Sequence, residues 1–255
     1  MQVRQSLPLF LAITTLVSAA HSQTNQQQVV RRPDGGANGS MESIFIPPRP
    51  GAPFSFTLAA EWTRSTGNGG SFTLVNERRI VRDSKGRIYQ ERAALVPRNG
   101  DVKTFVTTIQ ITDPDQHTWY NCIVATRVCD LYRYRLSSTD NFLPFTGITG
   151  TGPGGKVSHQ HEDLGVSSTL GEDTHGYRET TILEPGVMGN DKPMVTVHEF
   201  WYSPRLAVNL ISIVDSPLSG KQIFTAKELT TSEPDPSLFE VPAGYKIADH
   251  LNDEN

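Results

Sequence analysis

The sequence predicts a mainly β protein: one large curved antiparallel sheet, a half-barrel or meander, with little helix. Three observations carry this. Phe54, Phe56, Leu58, Ala60 and Trp62 occupy every second position, the period of a strand with one wet face. Near the other end, three runs rich in β-branched residues, Val195–Tyr202, Leu206–Val214 and Gln222–Thr231, are parted by Ser203-Pro204 and by Ser216–Gly220. Short breaks of this kind are the signal of hairpins. No stretch sustains a 3.6-residue period over three turns, so helix is expected only as one turn within Pro236–Glu240.

The chain has 255 residues, long enough for one all-β domain. It is 36% apolar and 20% charged, with a net charge of −4. A nucleic-acid partner is not expected, because there is neither a basic surplus nor a Lys/Arg stripe.

Met1–Ser6 holds Arg4 and no acid, Leu7–Val17 is apolar, and Ser18–Ser22 supplies small residues. This three-part pattern predicts a secretory signal peptide over 1–22. About 11 apolar residues are too few for a hydrocarbon layer about 30 Å thick. The mature protein is therefore expected in the periplasm or secreted, and not as an integral membrane protein. Residues 23–53, with Gln26–Gln28, Gly35-Gly36 and Pro47-Pro48-Arg49-Pro50, read as a disordered linker. A single β-rich domain is expected over 54–247, and an acidic tail over 248–255.

Within the domain, Gly67–Gly70 turns the chain into a strand over Ser71–Val81. Asp83–Gly86 is the loop to Arg87–Leu95. The Arg and Glu side chains of this pair read as a solvated face. Asn99-Gly100-Asp101 leads into Lys103–Thr112, with Phe105, Ile109 and Ile111 on one side. Asp113-Pro114-Asp115 is a turn set by an Asx side chain and a fixed proline φ.

The two cysteines, Cys122 and Cys129, follow. With Ala125-Thr126 as a two-residue turn, Cys122 falls opposite Cys129 across a strand pair, close enough for a disulfide. Six intervening residues do not match a redox or zinc Cys-x-x-C. Gly147–Lys156 reads as a loop, with a lid over a cavity as the alternative. It is not a phosphate loop, since Val157 follows Lys156 and no strand-to-helix context surrounds it. Further strands are expected over Val157–Asp163 and Tyr177–Leu183, for about ten in all.

The sharpest chemical candidate is His159-Gln160-His161-Glu162-Asp163. On a strand, His159, His161 and Asp163 share a face. Two imidazoles so spaced can bind a metal, with His175 or His198 as a third ligand. A cupin uses His-x-His in this way, but it places Glu four or five residues on, where this chain has Gly165 and Val166. The bland reading is a polar outer face. There is no Gly-x-Ser-x-Gly elbow, and His198-Glu199 reads as an edge-strand pair. Trp62, Trp119 and Trp201 offer either core packing or sugar stacking.

The segments Gly189–Pro193, Glu199–Pro204 and Glu233–Pro242 with Tyr245 resemble a family of uncharacterised secreted bacterial proteins. Fainter similarity extends to Val75–Arg87, Asp113-Pro114 and Leu164-Gly165. More distantly, Trp201-Tyr202-Ser203-Pro204 and the Phe239, Pro242, Tyr245 spacing resemble the periplasmic outer-membrane lipoprotein-sorting superfamily. That resemblance implies an open half-barrel whose mouth is closed by helices and whose apolar concave face takes acyl chains. This chain carries little helix signal for such a lid. The leading expectation is thus an exported, non-enzymatic β-sheet protein whose concave face binds an apolar or lipid ligand or an envelope partner, without a cofactor. The alternatives are a metal-dependent enzyme using His159 and His161, and a structural envelope module.

Overall fold

The computed structural model describes residues 44, 46–133 and 149–251. Fourteen strands form one sheet. The first seven are β1 (Phe54–Ser65), β2 (Ser71–Arg82), β3 (Ile88–Ala93), β4 (Val96–Pro97), β5 (Val106–Asp113), β6 (Thr118–Ile123) and β7 (Val128–Arg133). The rest are β8 (Gly150–Thr151), β9 (Val157–Thr169), β10 (Glu172–Leu183), β11 (Met194–Ser203), β12 (Val208–Ser216), β13 (Gly220–Thr230) and β14 (Lys246–Asp249). The only other regular pieces among the described residues are 3-10 turns at Pro153–Gly155 and Pro236–Phe239.

Two antiparallel meanders lie side by side. Strands β1 to β7 make one, with β4 pairing against β2, and β9 to β13 make the other. They join where β1 pairs with β13, with Ala60 opposite Phe224. β14 adds to β7 in parallel. β7 and β8 stand near opposite edges of the sheet. Held flat at about 4.8 Å per strand, the sheet would set them roughly 53 Å apart. That nearly exhausts the ~55–60 Å reach of a fully extended chain from Arg133 to Gly150. Curvature brings the edges closer, and native strand twist favours it.

The alternation in β1 is real and decides which face is which. Phe54, Phe56, Leu58 and Ala60 are buried, and the residues between them are half-exposed. With Ile80, Ile88, Val208, Leu210, Phe224 and Ala226 they build the main core on what is here termed the first face. Burying each large side chain stabilises by about 1.5–3 kcal/mol. The second face has a smaller core of Val81, Tyr89 and Ile111, which the 3-10 turn covers with Phe239 and Leu238. Asp235 caps that turn by accepting from the Ser237 N–H.

The ordered domain begins before Phe54. Ile44, Ile46 and Ala52 are buried in the main core, although residues up to 53 were expected to be linker. The reason is Arg82, which is 0% exposed. Its guanidinium donates to Ala52 O (2.8 and 3.0 Å), Pro47 O (2.8 Å) and Leu206 O (2.6 Å). It also lies over the Phe54 ring. The proline-rich segment supplies carbonyls that no ladder uses, and a buried cation takes them. Gly86, at φ 86°, lets the β2–β3 loop pass beneath this segment. An added Cβ there would sit 3.3 Å from the backbone of Pro48 and Pro50. The tail is shorter than expected as well, because Ala248 and Asp249 belong to β14. Residues 1–43, 45, 134–148 and 252–255 lie outside the described residues, and with them the expected signal peptide and the first two positions of the Gly147–Lys156 loop, whose remainder forms β8 and the Pro153–Gly155 turn.

Three hairpins share a four-residue turn that ends on a left-handed non-glycine residue: His117, Arg127 and Ala207. In the β6–β7 turn the Arg127 N–H donates to Ile123 O (2.9 Å), so the turn spans four residues rather than the expected two. The register is unchanged. Cys122 faces Cys129 and the disulfide is formed. In the β5–β6 turn Asp113 accepts from the N–H groups of Asp115 and Gln116, as an Asx turn should.

Candidate functional site

The first face continues from the apolar centre into both wings, and there its character changes. Between β9 and β11 it carries four of the seven histidines: His159, His161, His175 and His198. Tyr177 is the hub of this patch. His175 stacks on it at 4.6 Å, His161 at 5.4 Å, and Phe200 lies tilted at 5.6 Å.

Each imidazole also meets a neighbouring polar group. His159 Nδ1 lies 3.1 Å from Thr181 Oγ1, and His161 Nδ1 lies 3.3 Å from Glu179 Oε1. His175 Nε2 is 2.6 Å from Asp163, and His198 Nε2 is 3.0 Å from Ser212. The His175 contact and the Gly165 N–H hold the Asp163 carboxyl below its ordinary pKa. His159 and His161 do share a face, as their alternation requires. Yet among the described residues no group of three or more His, Cys, Asp and Glu is placed to hold a metal ion. The contacts run along the strands, one pair per rung, and do not converge on a point. His198-Glu199 also differs from expectation, since β11 is an interior strand between β10 and β12.

Across the other wing the same face bears a polar row. Arg78, Gln90 and Gln110 are buried there. The Arg92 guanidinium and the Asn121 carbonyl both bond Gln110, at 2.9 and 3.1 Å, and Arg78 reaches Gln90 and the carbonyl of Glu91. The expected solvated face of β2 and β3 is therefore split. Glu77 and Arg79 point to the wet second face, while Arg78, Arg82 and Gln90 point inward. Charge alone does not say which of two alternating charged rows is buried.

Three buried polar atoms on this face have no hydrogen-bond partner: Asn76 Oδ1, Thr112 Oγ1 and Trp119 Nε1. Thr112 and Trp119 lie directly opposite each other on β5 and β6. The Trp119 ring packs on Tyr132 at 5.4 Å, and Tyr132 on His250 at 5.1 Å. An unsatisfied buried donor or acceptor costs about 1–3 kcal/mol, and native structures keep such groups few. In the sequence Trp119 stands out only as one of three tryptophans, and nothing marks Thr112. Counting from Cys122 sets Trp119 on the face away from the disulfide, but Thr112 joins it there only through the β5–β6 pairing. The other two tryptophans have protein partners: Trp62 donates to Ser219 O, and Trp201 to Glu199.

No family model matches the chain, and no curated protein matches it. Solved structures do. One is a chain of the MucA/MucB complex of Pseudomonas aeruginosa, at 11% identity and a TM-score of 0.35, with 76% of this chain covered. The match spans only 58% of that chain. Another is an outer membrane lipoprotein-sorting protein domain from Vibrio parahaemolyticus (11% identity, TM-score 0.26, covering 72% of this chain and 88% of that one). A third is the Mycobacterium tuberculosis lipoprotein LppX (11% identity, TM-score 0.24, 71% and 88%). These superpositions are loose, and the functional reading of this chain is drawn from its own side chains.

Proposed function

We propose that this is an exported, non-enzymatic binding protein that takes a ligand or an envelope partner on its first face. The observation that carries the reading is the pair of buried, unpartnered polar atoms Thr112 Oγ1 and Trp119 Nε1, opposite each other on the first face beside the Tyr132 ring, with Asn76 Oδ1 elsewhere on that face; a fourth such atom, Asn209 Oδ1, lies on the other face. Such atoms are costly until something pairs with them. The apolar centre of the same face is already closed, with Phe54, Phe56 and Leu58 at most 2% exposed. A bare acyl chain would have little apolar surface to cover and would leave Thr112 Oγ1 and Trp119 Nε1 unmet. The occupant therefore brings hydrogen-bonding groups of its own, as an extended segment of an envelope protein or a lipid with its head group does.

Native mass spectrometry on protein purified from its exported fraction, without added lipid or metal, tests this. A stoichiometric adduct that dissociates as a peptide or lipid is the expected result, weakened in the Thr112→Val, Trp119→Phe variant. A stoichiometric metal lost on His159→Ala would move the account to the metalloenzyme reading. A bare chain in both forms would leave a structural module.

A further inference from the structure

The strands end at two rims, and the rims differ in kind. One gathers the β1–β2, β4–β5, β10–β11 and β12–β13 connections, together with the starts of β2, β5, β9, β11 and β13. Nine large hydrophobic side chains stand exposed among the described residues, and six of them are here: Phe72, Val102, Phe105, Met188, Val195 and Leu218. Their exposure runs from 42% for Phe72 to 62% for Met188. Singly scattered exposed hydrophobics need no explanation, but a concentration at one end of a sheet does. None of the six packs on the core that its strand helps to build.

The same rim carries a surplus of cations. Between the apolar tips stand exposed Arg64, Lys103, Lys156, Lys192 and Lys221, with Arg127 and Lys246 farther along the rim. Four exposed acids oppose them: Asp101, Glu184, Asp191 and Asp215. Arg98 is also at this rim, spent on Glu61. The rim is thus positive on a chain whose net charge is −4. The opposite rim carries both signs: Asp83, Asp113, Asp115, Glu172, Asp173 and Glu233 stand with Lys85, Arg87, Arg133 and Arg205, of which Arg87 is paired to Asp83 and Arg205 to Glu172.

We propose that the positive rim is a docking surface for an anionic lipid bilayer. Apolar loop tips flanked by Lys and Arg are the side-chain set that such an interface rewards: the tips enter the head-group boundary and the cations meet phosphate. An acidic protein would satisfy the charge but give no reason for six solvent-facing apolar side chains along one rim, two at strand starts and four in the β4–β5, β10–β11 and β12–β13 connections. The rim lies at the strand ends, where Phe72 shares the first face of β2 with Asn76, four residues away, and Val195 stands on the opposite face of β11.

The test is flotation of the protein, freed of residues 1–22, with phosphatidylcholine vesicles that do or do not contain 30 mol% phosphatidylglycerol. Binding to the anionic vesicles is expected, falling severalfold between 0.1 and 0.5 M salt as screening shortens the electrostatic reach from about 10 Å. Phe72→Ser, Phe105→Ser, Leu218→Ser should weaken it at least about tenfold. Lys103→Gln, Lys192→Gln, Lys221→Gln should weaken the anionic component alone. All six positions are exposed, and a thermal unfolding curve on each variant checks that the fold is kept. No flotation on either vesicle would overturn the proposal, as would flotation that the serine variant leaves unchanged. Self-association abolished by the same serines would overturn it too, by assigning the rim to a second copy of the chain.

Discussion

The two meanders of one sheet are held together by different physics. The first is closed on both faces near the join: β1 alternates buried and half-exposed residues, Arg82 ties down the segment before it, and the Pro236–Phe239 turn covers the second face. A disulfide pins its outer hairpin. The far wing of the second meander, β9 with β10, has almost no buried residue; Thr174 and Gly176 are the exceptions. It is held by cross-strand pairs, Arg178 to Glu162 and Glu199 on one face and His–Tyr stacks on the other. The first meander and the join have the depth to hold buried polar groups in fixed places. The β9–β10 wing has only surface interactions, each worth little in water.

That contrast orders the expected effects of substitution. Arg82→Met leaves the carbonyls of Pro47, Ala52 and Leu206 without their donor and should cost about 3–5 kcal/mol in urea unfolding. Burial and the nearby Arg49 draw this guanidinium down to about 9, still charged at neutral pH, so its loss is felt there in full. Removing the disulfide with Cys122→Ser, Cys129→Ser should cost about 2.5 kcal/mol by loop-closure entropy. A loss below 0.5 kcal/mol would show that β14 and β6 already hold β7.

In the second meander the expected losses shrink. Gly176→Ala places a Cβ 2.7–2.9 Å from the Trp201 ring and should cost about 1–3 kcal/mol, with loss of the Trp201–Glu199 bond visible in the indole NMR signal. Arg178→Ala should cost less than about 1 kcal/mol, because its partners are solvated. The smallest effect is one of pH. A depressed Asp163 pKa means that its stabilising contact is present above the ordinary carboxylate range and is lost as pH falls through the folded value. A carbon NMR titration should find Asp163 below 3.8 and rising toward it in His175→Ala.

Much of the fold is readable in the chain. Strand period, hairpin breaks and the Cys122–Cys129 register all follow from local rules that tertiary packing does not override. What escapes is whatever depends on contacts distant in sequence. Ile44 and Ile46 sit in proline-rich, low-complexity surroundings, and only a buried Arg82 makes them core. Arg78 and Gln90 look solvated until the strands on either side fix which row faces in. The candidate site is legible in parts. His159 and His161 stand out as a motif, yet their neighbours Thr181 and Glu179 take their Nδ1 atoms. Thr112 and Trp119 gain meaning only once β5 and β6 are paired, since neither residue type announces an unmet hydrogen bond.

The most direct test of the account is hydroxyl-radical footprinting of the ligand-bearing protein against the same protein stripped of its ligand, read at two tryptophans on opposite faces. Trp119 and its neighbour Tyr132 should be shielded when the ligand is bound, with Trp201 unchanged. Shielding of Trp201 with Trp119 unmoved would put the ligand on the second face and contradict it.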